Sequence, residues 1–258
     1  MRITLIGSGN VATHLGAAFK NAGHQMVQVW SRSLQNAALL AYHLKAEPID
    51  NLNQLSAETD LILISVKDDA VETVASFINL KNVLVVHTCG ALNMQVLGKY
   101  FASYGVFYPL QTFSKNRELD FRTVPLCLES NAKNSMDLLL DLAGTVSNQV
   151  SVVNSDQRKI LHLAAAFACN FSNYLYSVSA DLLRENQLDF NLLRPLILET
   201  ALKVQSFLPL KVQTGPAIRN DVKTMETHLN LLQQHLDLQQ VYRLLSQGII
   251  KMDKSNSA

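Results

Sequence analysis

Met1-Arg2-Ile3-Thr4-Leu5-Ile6-Gly7-Ser8-Gly9-Asn10-Val11-Ala12-Thr13-His14-Leu15-Gly16 decides the fold. Ile3 to Ile6 form a short β-branched and apolar run. Gly7, Gly9 and Ala12 come next as G-x-G-x-x-A, and a helical pattern begins at once. Each small residue has a separate job. Gly7 turns the strand sharply into the helix, Gly9 lets a pyrophosphate approach the backbone, and Ala12 lets helix and strand pack closely. The new helix N-terminus offers free N–H groups and the positive end of its dipole to an anion. An ordinary glycine turn does not require this placement between strand and helix. Gly7, Ser8, Gly9, Asn10 and Val11 are therefore candidates for holding a dinucleotide's phosphates.

The second strand, Met26 to Trp30, comes after a helix from Asn10 to Ala22 that stops at Gly23. The residue just past such a strand sits beside the adenosine ribose, where an acid favours NAD. Ser31-Arg32-Ser33 stands there instead. A guanidinium between two hydroxyls suits a 2′-phosphate, so NADP(H) is the expected cofactor, in preference to Arg32 as a plain surface residue.

The rhythm continues. A helix is expected over 34–44, then a short segment at Glu47-Pro48. Leu61 to Val66 reads as a buried parallel strand, and Lys67-Asp68-Asp69 starts the next helix. Asn82 to His87 reads as a further strand, leading into Thr88-Cys89-Gly90. Strand-like pieces at 124–128 and 150–153 flank a helix at 133–142, after Val106 to Phe113. This alternation predicts an α/β Rossmann-like, doubly wound, mainly parallel sheet. Such sheets bind ligands at the carboxyl ends of their strands, which adds Ser65, Val66, Lys67, His87 and Thr88 to the cofactor path. Lys67 reads equally as a solvated helix start, and His87 as a structural hydrogen-bonding residue. Tyr108 and Gln111 are candidates for the substrate side, with aromatic packing as the alternative for Tyr108.

Four of the ten glycines fall in the first 23 residues, and none lies between Gly144 and Gly215. That shift divides the chain into a nucleotide-binding part, 1–153, and an all-helical part, 154–258. One long helix is expected from Ser155 to Arg184. On a regular wheel Ser155, Lys159, His162, Ala166, Asn170, Asn173 and Ser177 share one side. Short uncharged groups suit an enclosed cleft better than a solvated face. His162 is the member that exchanges protons near neutral pH, and Asn170 and Asn173 can orient a carbonyl or amide. A second helix is expected over 191–207 and a last helical region over 221–247. Thr214-Gly215-Pro216-Ala217-Ile218-Arg219-Asn220-Asp221 reads equally as an anion clamp built on Arg219 or as a helix-start ion pair. His228 and His235 lack a third ligand and read as surface groups, so no metal is expected.

The bulk numbers set limits. The chain of 258 residues carries 22 basic and 21 acidic side chains, which argues against nucleic-acid binding and a polybasic membrane anchor. A 48% hydrophobic fraction fills a sizeable core. Cys89, Cys127 and Cys169 are far apart and form no metal or disulfide pattern. No apolar run reaches the ~18 residues of a membrane span, and no signal-peptide pattern opens the chain. A cytoplasmic location is expected, with residues 254–258 frayed.

The ordered set GSGNVATHL, SRS, His87-Thr88-Cys89-Gly90, Tyr-Pro-Leu-Gln-Thr-Phe, His162…Asn170 and Thr-Gly-Pro-Ala-Ile-Arg-Asn-Asp resembles a family of NADP oxidoreductases of unassigned substrate. That resemblance covers nearly the whole chain. It implies a Rossmann-like domain joined to an all-α domain like that of 6-phosphogluconate dehydrogenase. It also implies distant kinship with pyrroline-5-carboxylate reductase, the deazaflavin-dependent NADP oxidoreductases and the 3-hydroxyacid dehydrogenases. A homodimer through the helical domain is a further implication. The 3-hydroxyacid dehydrogenases carry Lys-x-x-x-Asn on the first helix of that domain. Counted back from Asn170 or Asn173, the lysine position holds Ala166 or Cys169, so their lysine chemistry does not transfer. Asn220 stands where the family's T-G-P-x-x-R-G-D has glycine, and asparagine tolerates a left-handed backbone. The expected activity is hydride transfer between NADP(H) and a small carbonyl or imine compound in the interdomain cleft. His162 would exchange the proton, Asn170 would orient the substrate and Arg219 would bind a carboxylate. The alternative is a non-catalytic NADP(H)-binding sensor.

Overall fold

The computed structural model describes residues 1–254. Lys254 is the last described residue, so the tail expected to fray beyond it lies outside them. In chain order the elements are β1 (Arg2–Ile6), α1 (Asn10–Asn21), β2 (Gln25–Trp30), α2 (Leu34–Leu44), β3 (Glu47–Ile49), β4 (Leu61–Ile64) and α3 (Val71–Ser76). Then come β5 (Leu84–His87), α4 (Gln95–Gly98), β6 (Tyr104–Pro109), β7 (Leu126–Ser130), α5 (Lys133–Val146) and β8 (Val150–Val152). All eight strands form one sheet in the order β3-β2-β1-β4-β5-β6-β7-β8. Every pairing is parallel except β6 with β7. This is the doubly wound, mainly parallel sheet that the alternation predicts. The strand order reverses between β1 and β4, which places the crevice of the fold there.

Alternation within the strands builds two cores. Ile3, Leu5, Leu61, Leu63 and Val86 face one side, against Leu15, Phe19 and Ala41 of α1 and α2. Ile6, Ile62, Ile64 and Val85 face the other, against Val71, Val74 and Leu97 of α3 and α4. The same period of two turns Val106, Tyr108 and Cys127 into a smaller cluster, which also packs Leu161.

The chain divides into two compact units, Met1–Tyr174 and a second from Leu175 onward. The composition shift near residue 152 coincides with the end of the sheet. The first unit runs further because helix α6 (Ser155–Ala165) is anchored on it. Arg158 is fully buried and pairs with Glu129 of β7. Glu129 also accepts from the Ser155 N–H at 2.8 Å and the Ser155 hydroxyl at 2.7 Å. Arg158 donates in turn to the Leu92 carbonyl and to the Ser155 hydroxyl. A carboxylate at a helix N-terminus is favoured by the dipole as well as by the cation.

The long helix is not uniform. After α6 comes a π-helical turn, Ala166–Phe171, and then α7 (Ser172–Glu185). A π turn holds roughly one extra residue, so it rotates the later part of the helix by about 100°. The regular wheel that set Asn173 and Ser177 in line with His162 is corrected by that rotation.

The second unit contains most of α7, then α8 (Arg194–Ser206), α9 (Val222–Leu231) and α10 (Leu236–Lys254). A 3-10 turn at Phe190–Leu192 precedes α8, which therefore starts later than the apolar pattern suggests. Asn220 has φ of 52°, the left-handed conformation expected of it. Asp221 caps α9 by accepting from the Thr224 N–H at 3.1 Å, and its bonds to Thr224 hold its carboxyl below the usual range. His228 bonds to the Tyr242 hydroxyl and His235 to Glu185. Among the described residues no helix is long and apolar enough to cross a membrane.

Breaking the buried ion pair from one side tests its weight. Glu129→Leu should cost about 3–5 kcal/mol in urea denaturation, because it strands a buried guanidinium. The double variant Glu129→Leu/Arg158→Met should recover most of that loss; equal losses in both would assign the stability to shape alone.

Candidate functional site

The carboxyl ends of β1, β2, β4 and β5 open into a cleft of about 1210 Å³, formed by the first unit. Its floor is the strand-to-helix turn. Gly7 has φ of 124°, and a Cβ there would lie 2.2 Å from the Ser65 carbonyl oxygen. Only glycine lets β1 pass so close to the end of β4. Gly9 is different: a Cβ there would meet nothing within 4 Å. The space before it belongs to the cleft, as expected where a ligand approaches the backbone. Gly9 is also the N-cap of α1, which has no side-chain cap and no acid in its first turn. Its first N–H groups and dipole therefore remain available to an anion.

Around that turn the predicted residues divide. Ser8, Val11, Ser31, Arg32, Val66 and Lys67 line the cleft, and the Ser8 hydroxyl donates to that of Ser31 at 3.1 Å. Ser65 and Thr88 also line it and bond to each other at 3.3 Å. Asn10 lines it with its backbone region, but its side chain is already used. Its Nδ2 donates to the Phe113 carbonyl at 2.9 Å, and His14 bonds to the Ser114 carbonyl at the same distance. Ser33 lies outside the lining, where its hydroxyl caps α2 by accepting from the Asn36 N–H.

His87 is a correction. It is fully buried and outside the cleft lining, and its Nδ1 accepts from the Cys89 N–H at 3.1 Å. Burial, then the charge of Arg158, pushes its pKa down to about 3. It is a neutral buried imidazole that shapes the bend after β5. The bend sets Cys89 against Asp68, and burial and that carboxylate push the thiol up.

The far end of the cleft carries Tyr108, Gln111, Gly90 and His162. The Tyr108 hydroxyl and His162 Nδ1 are 3.0 Å apart. Burial raises the phenol to about 12, so it stays protonated. Asn170 and Asn173 are exposed and outside the lining, and Arg219 belongs to the second unit. Sequence reasoning missed Gly90, Asn36, Asp68 and the wall residue Trp30. Gly90, just past a strand that reaches the crevice, carried a usable signal; the others did not. Among the described residues no cluster of His, Cys, Asp or Glu has the makings of a metal site.

A family model described as "NADP oxidoreductase coenzyme F420-dependent" matches residues 2–89, and a "domain of unknown function (DUF2520)" matches residues 124–249. The crystal structure of the "putative NADP oxidoreductase BF3122" of Bacteroides fragilis is 40% identical, over 97% of this chain and 98% of that one, with a TM-score of 0.90. The chain belongs to this NADP oxidoreductase family. Protein TM1727 of Thermotoga maritima shares the fold at 20% identity, covering 99% of this chain and 100% of that one, with a TM-score of 0.75. A pyrroline-5-carboxylate reductase of Coxiella burnetii shares it at 16% identity, covering 98% and 97%, with a TM-score of 0.58. No curated protein matches the chain in sequence.

The buried His87 gives this family member a pH signature. Unfolded, the imidazole gains a proton below its ordinary 6.5; folded, it does so only near 3. Stability therefore falls as pH drops through that window. Between pH 7 and 5 the loss from this group is about 2 kcal/mol. His87→Asn, which keeps an acceptor for Cys89, should flatten the decline in denaturant midpoints; an unchanged slope would contradict the buried neutral state.

Proposed function

We propose that the chain transfers hydride between NADP(H) and a small carbonyl or imine compound bound beside His162. The observation that carries this reading is the single cleft that joins the open Gly9 turn to the Tyr108–His162 pair. Its volume exceeds the range usual for one small molecule, as an extended dinucleotide with a substrate would need.

The first-turn N–H groups of α1 and the Ser8 hydroxyl hold the linked phosphates. Arg32, with Ser31, holds the 2′-phosphate by charge-assisted hydrogen bonds. Ser65, Val66 and Thr88 line the path onward. When bound, the nicotinamide supplies or accepts the hydride. His162 donates a proton to the substrate oxygen or nitrogen in the reducing direction and removes one in the other. Asn170, Asn173 and Arg219 enter no step of this reading.

Two further features belong to it. Cys89 and Cys127 are free and buried and Cys169 is free and exposed, which suits the reducing cytoplasm. Homodimerisation through the helical part explains why so few side chains of the second unit, Ala217 and Leu232 among them, are buried within one chain. Phe167 at 64%, Leu196 at 62% and Leu202 at 53% exposure are apolar groups that a second copy would cover.

NADPH oxidation against imines, ketoacids and aldehydes tests the activity. Arg32→Ala should weaken NADPH binding about tenfold and leave NADH nearly unchanged, measured by fluorescence titration. Equal losses for both would remove the 2′-phosphate assignment, and saturable binding with no turnover of any compound would favour a sensor. Light scattering should give the mass of two chains, and Phe167→Asp should shift it toward one; a monomeric wild type would overturn the dimer.

A further inference from the structure

His162 is held from three directions. Arg158 lies one turn before it on α6, and its buried pairing with Glu129 fixes the rotation of that turn. Gly90 lies against the ring. A Cβ at residue 90 would fall 2.5 Å from Nδ1 and 2.7 Å from Cγ of His162. Contacts that short do not occur, so any larger residue displaces the imidazole. Tyr108 meets the ring edge-on, with centroids 6.0 Å apart and planes at 75°, and its hydroxyl reaches Nδ1. Strand alternation in β6 points Tyr108 to this side of the sheet, into the cluster that also packs Leu161.

We infer that Tyr108 and Gly90 are positioning residues for His162: Gly90 is the seat of the imidazole, and the Tyr108 hydroxyl oxygen accepts from Nδ1–H so that Nε2 is the nitrogen that exchanges the proton. This rests on the reading of His162 as the proton-exchanging group, and it gives Tyr108 a role other than substrate contact. Burial, then Cys127 and Asp68, raise the phenol against the opposing charge of Arg158, so Tyr108 stays a neutral hydroxyl whose oxygen can accept. With Nδ1 keeping its proton, Nε2 bears the lone pair of the neutral ring and the exchangeable proton of the cationic one. In the reducing direction the cationic ring gives its Nε2 proton to the substrate heteroatom and is left as the neutral Nδ1–H imidazole, while hydride reaches the adjoining carbon from the reduced nicotinamide. Solvent reprotonates Nε2 after product release. Tyr108 loses no proton in the cycle.

Two measurements test this, and they fail separately. The first does not need turnover. Long-range ¹H–¹⁵N correlation spectra, assigned with His162→Gln, report which ring nitrogen carries the proton. In the neutral ring of the wild type, Nδ1 should be protonated and hydrogen-bonded and Nε2 unprotonated. Tyr108→Phe and Gly90→Ala should each shift the Nδ1 resonance. An unprotonated Nδ1 in the wild type, or His162 signals unmoved by both substitutions, overturns the inference. The second is a double-mutant cycle on turnover. Tyr108→Phe should lower kcat about tenfold, the equivalent of one hydrogen bond, with KM nearly unchanged. In a His162→Gln background it should lower kcat no further. A raised KM with additive losses would make Tyr108 a substrate contact. Absence of turnover in the wild type would sink the proposed activity, while the spectra would still decide the geometry of the pair.

Discussion

The first unit depends on a charge taken fully out of water. Arg158 keeps its guanidinium in the interior only because Glu129, the Leu92 carbonyl and the Ser155 hydroxyl surround it. Such a pair adds little net stability, since desolvation offsets most of the attraction. What it adds is uniqueness of arrangement. Three segments distant in sequence, the stretch after β5, the antiparallel strand β7 and the start of α6, meet at one point. Slip any of them and a charge or a carbonyl is left without a partner. The ion pair thus fixes where the long helix leaves the sheet, and with it the placement of every side chain on the next turn.

A second constraint works through the backbone. Parallel strands β1 and β4 come close enough at their carboxyl ends that the Gly7 position excludes a side chain. The close approach opens the crevice at the order reversal and leaves the α1 amides facing it. Positive charge there is supplied by main-chain dipoles, by Arg32 on the β2 side and by Lys67 at the end of β4. Glycine at residue 9 has no packing reason inside the protein, whereas glycine at residue 7 has nothing else. The two glycines of one motif thus answer to different demands, one from the fold and one from a ligand.

This difference explains what the sequence made legible. Short-range signals carried the sheet: apolar runs, the glycine turn and the period of two predicted every central strand and the helices that flank them except the short α4. The Gly-poor stretch marked the change to helices. Long-range partners were out of reach. Nothing local distinguishes Arg158 from a solvated helix residue, because its meaning lies in Glu129, 29 residues earlier. Asn10 sits inside a phosphate-binding motif, yet its amide is bonded to a loop over a hundred residues away. His87 ends a strand at the crevice, where one residue of alternation decides between ligand and core, and it faces the core. The π turn was hidden as well, since a wheel drawn at a constant period assumes its own regularity.

The π turn also bears on the chemistry. Both positions where the 3-hydroxyacid dehydrogenase pattern would set its lysine, Ala166 and Cys169, fall within Ala166–Phe171. In this chain that segment carries neither lysine nor histidine. The nearest histidine, His162, lies a turn earlier at the last regular stretch of α6, about 5–6 Å closer to the helix start. Moving an acid/base group toward the anchored end changes what holds it. A lysine on a free-standing turn depends on its own long chain, whereas an imidazole beside Gly90 and Tyr108 is fixed by the sheet. In the proposed reading, loss of the lysine is therefore not loss of the proton donor. The donor has moved from a flexible ammonium to a ring whose orientation is set by the same contacts that fold the first unit.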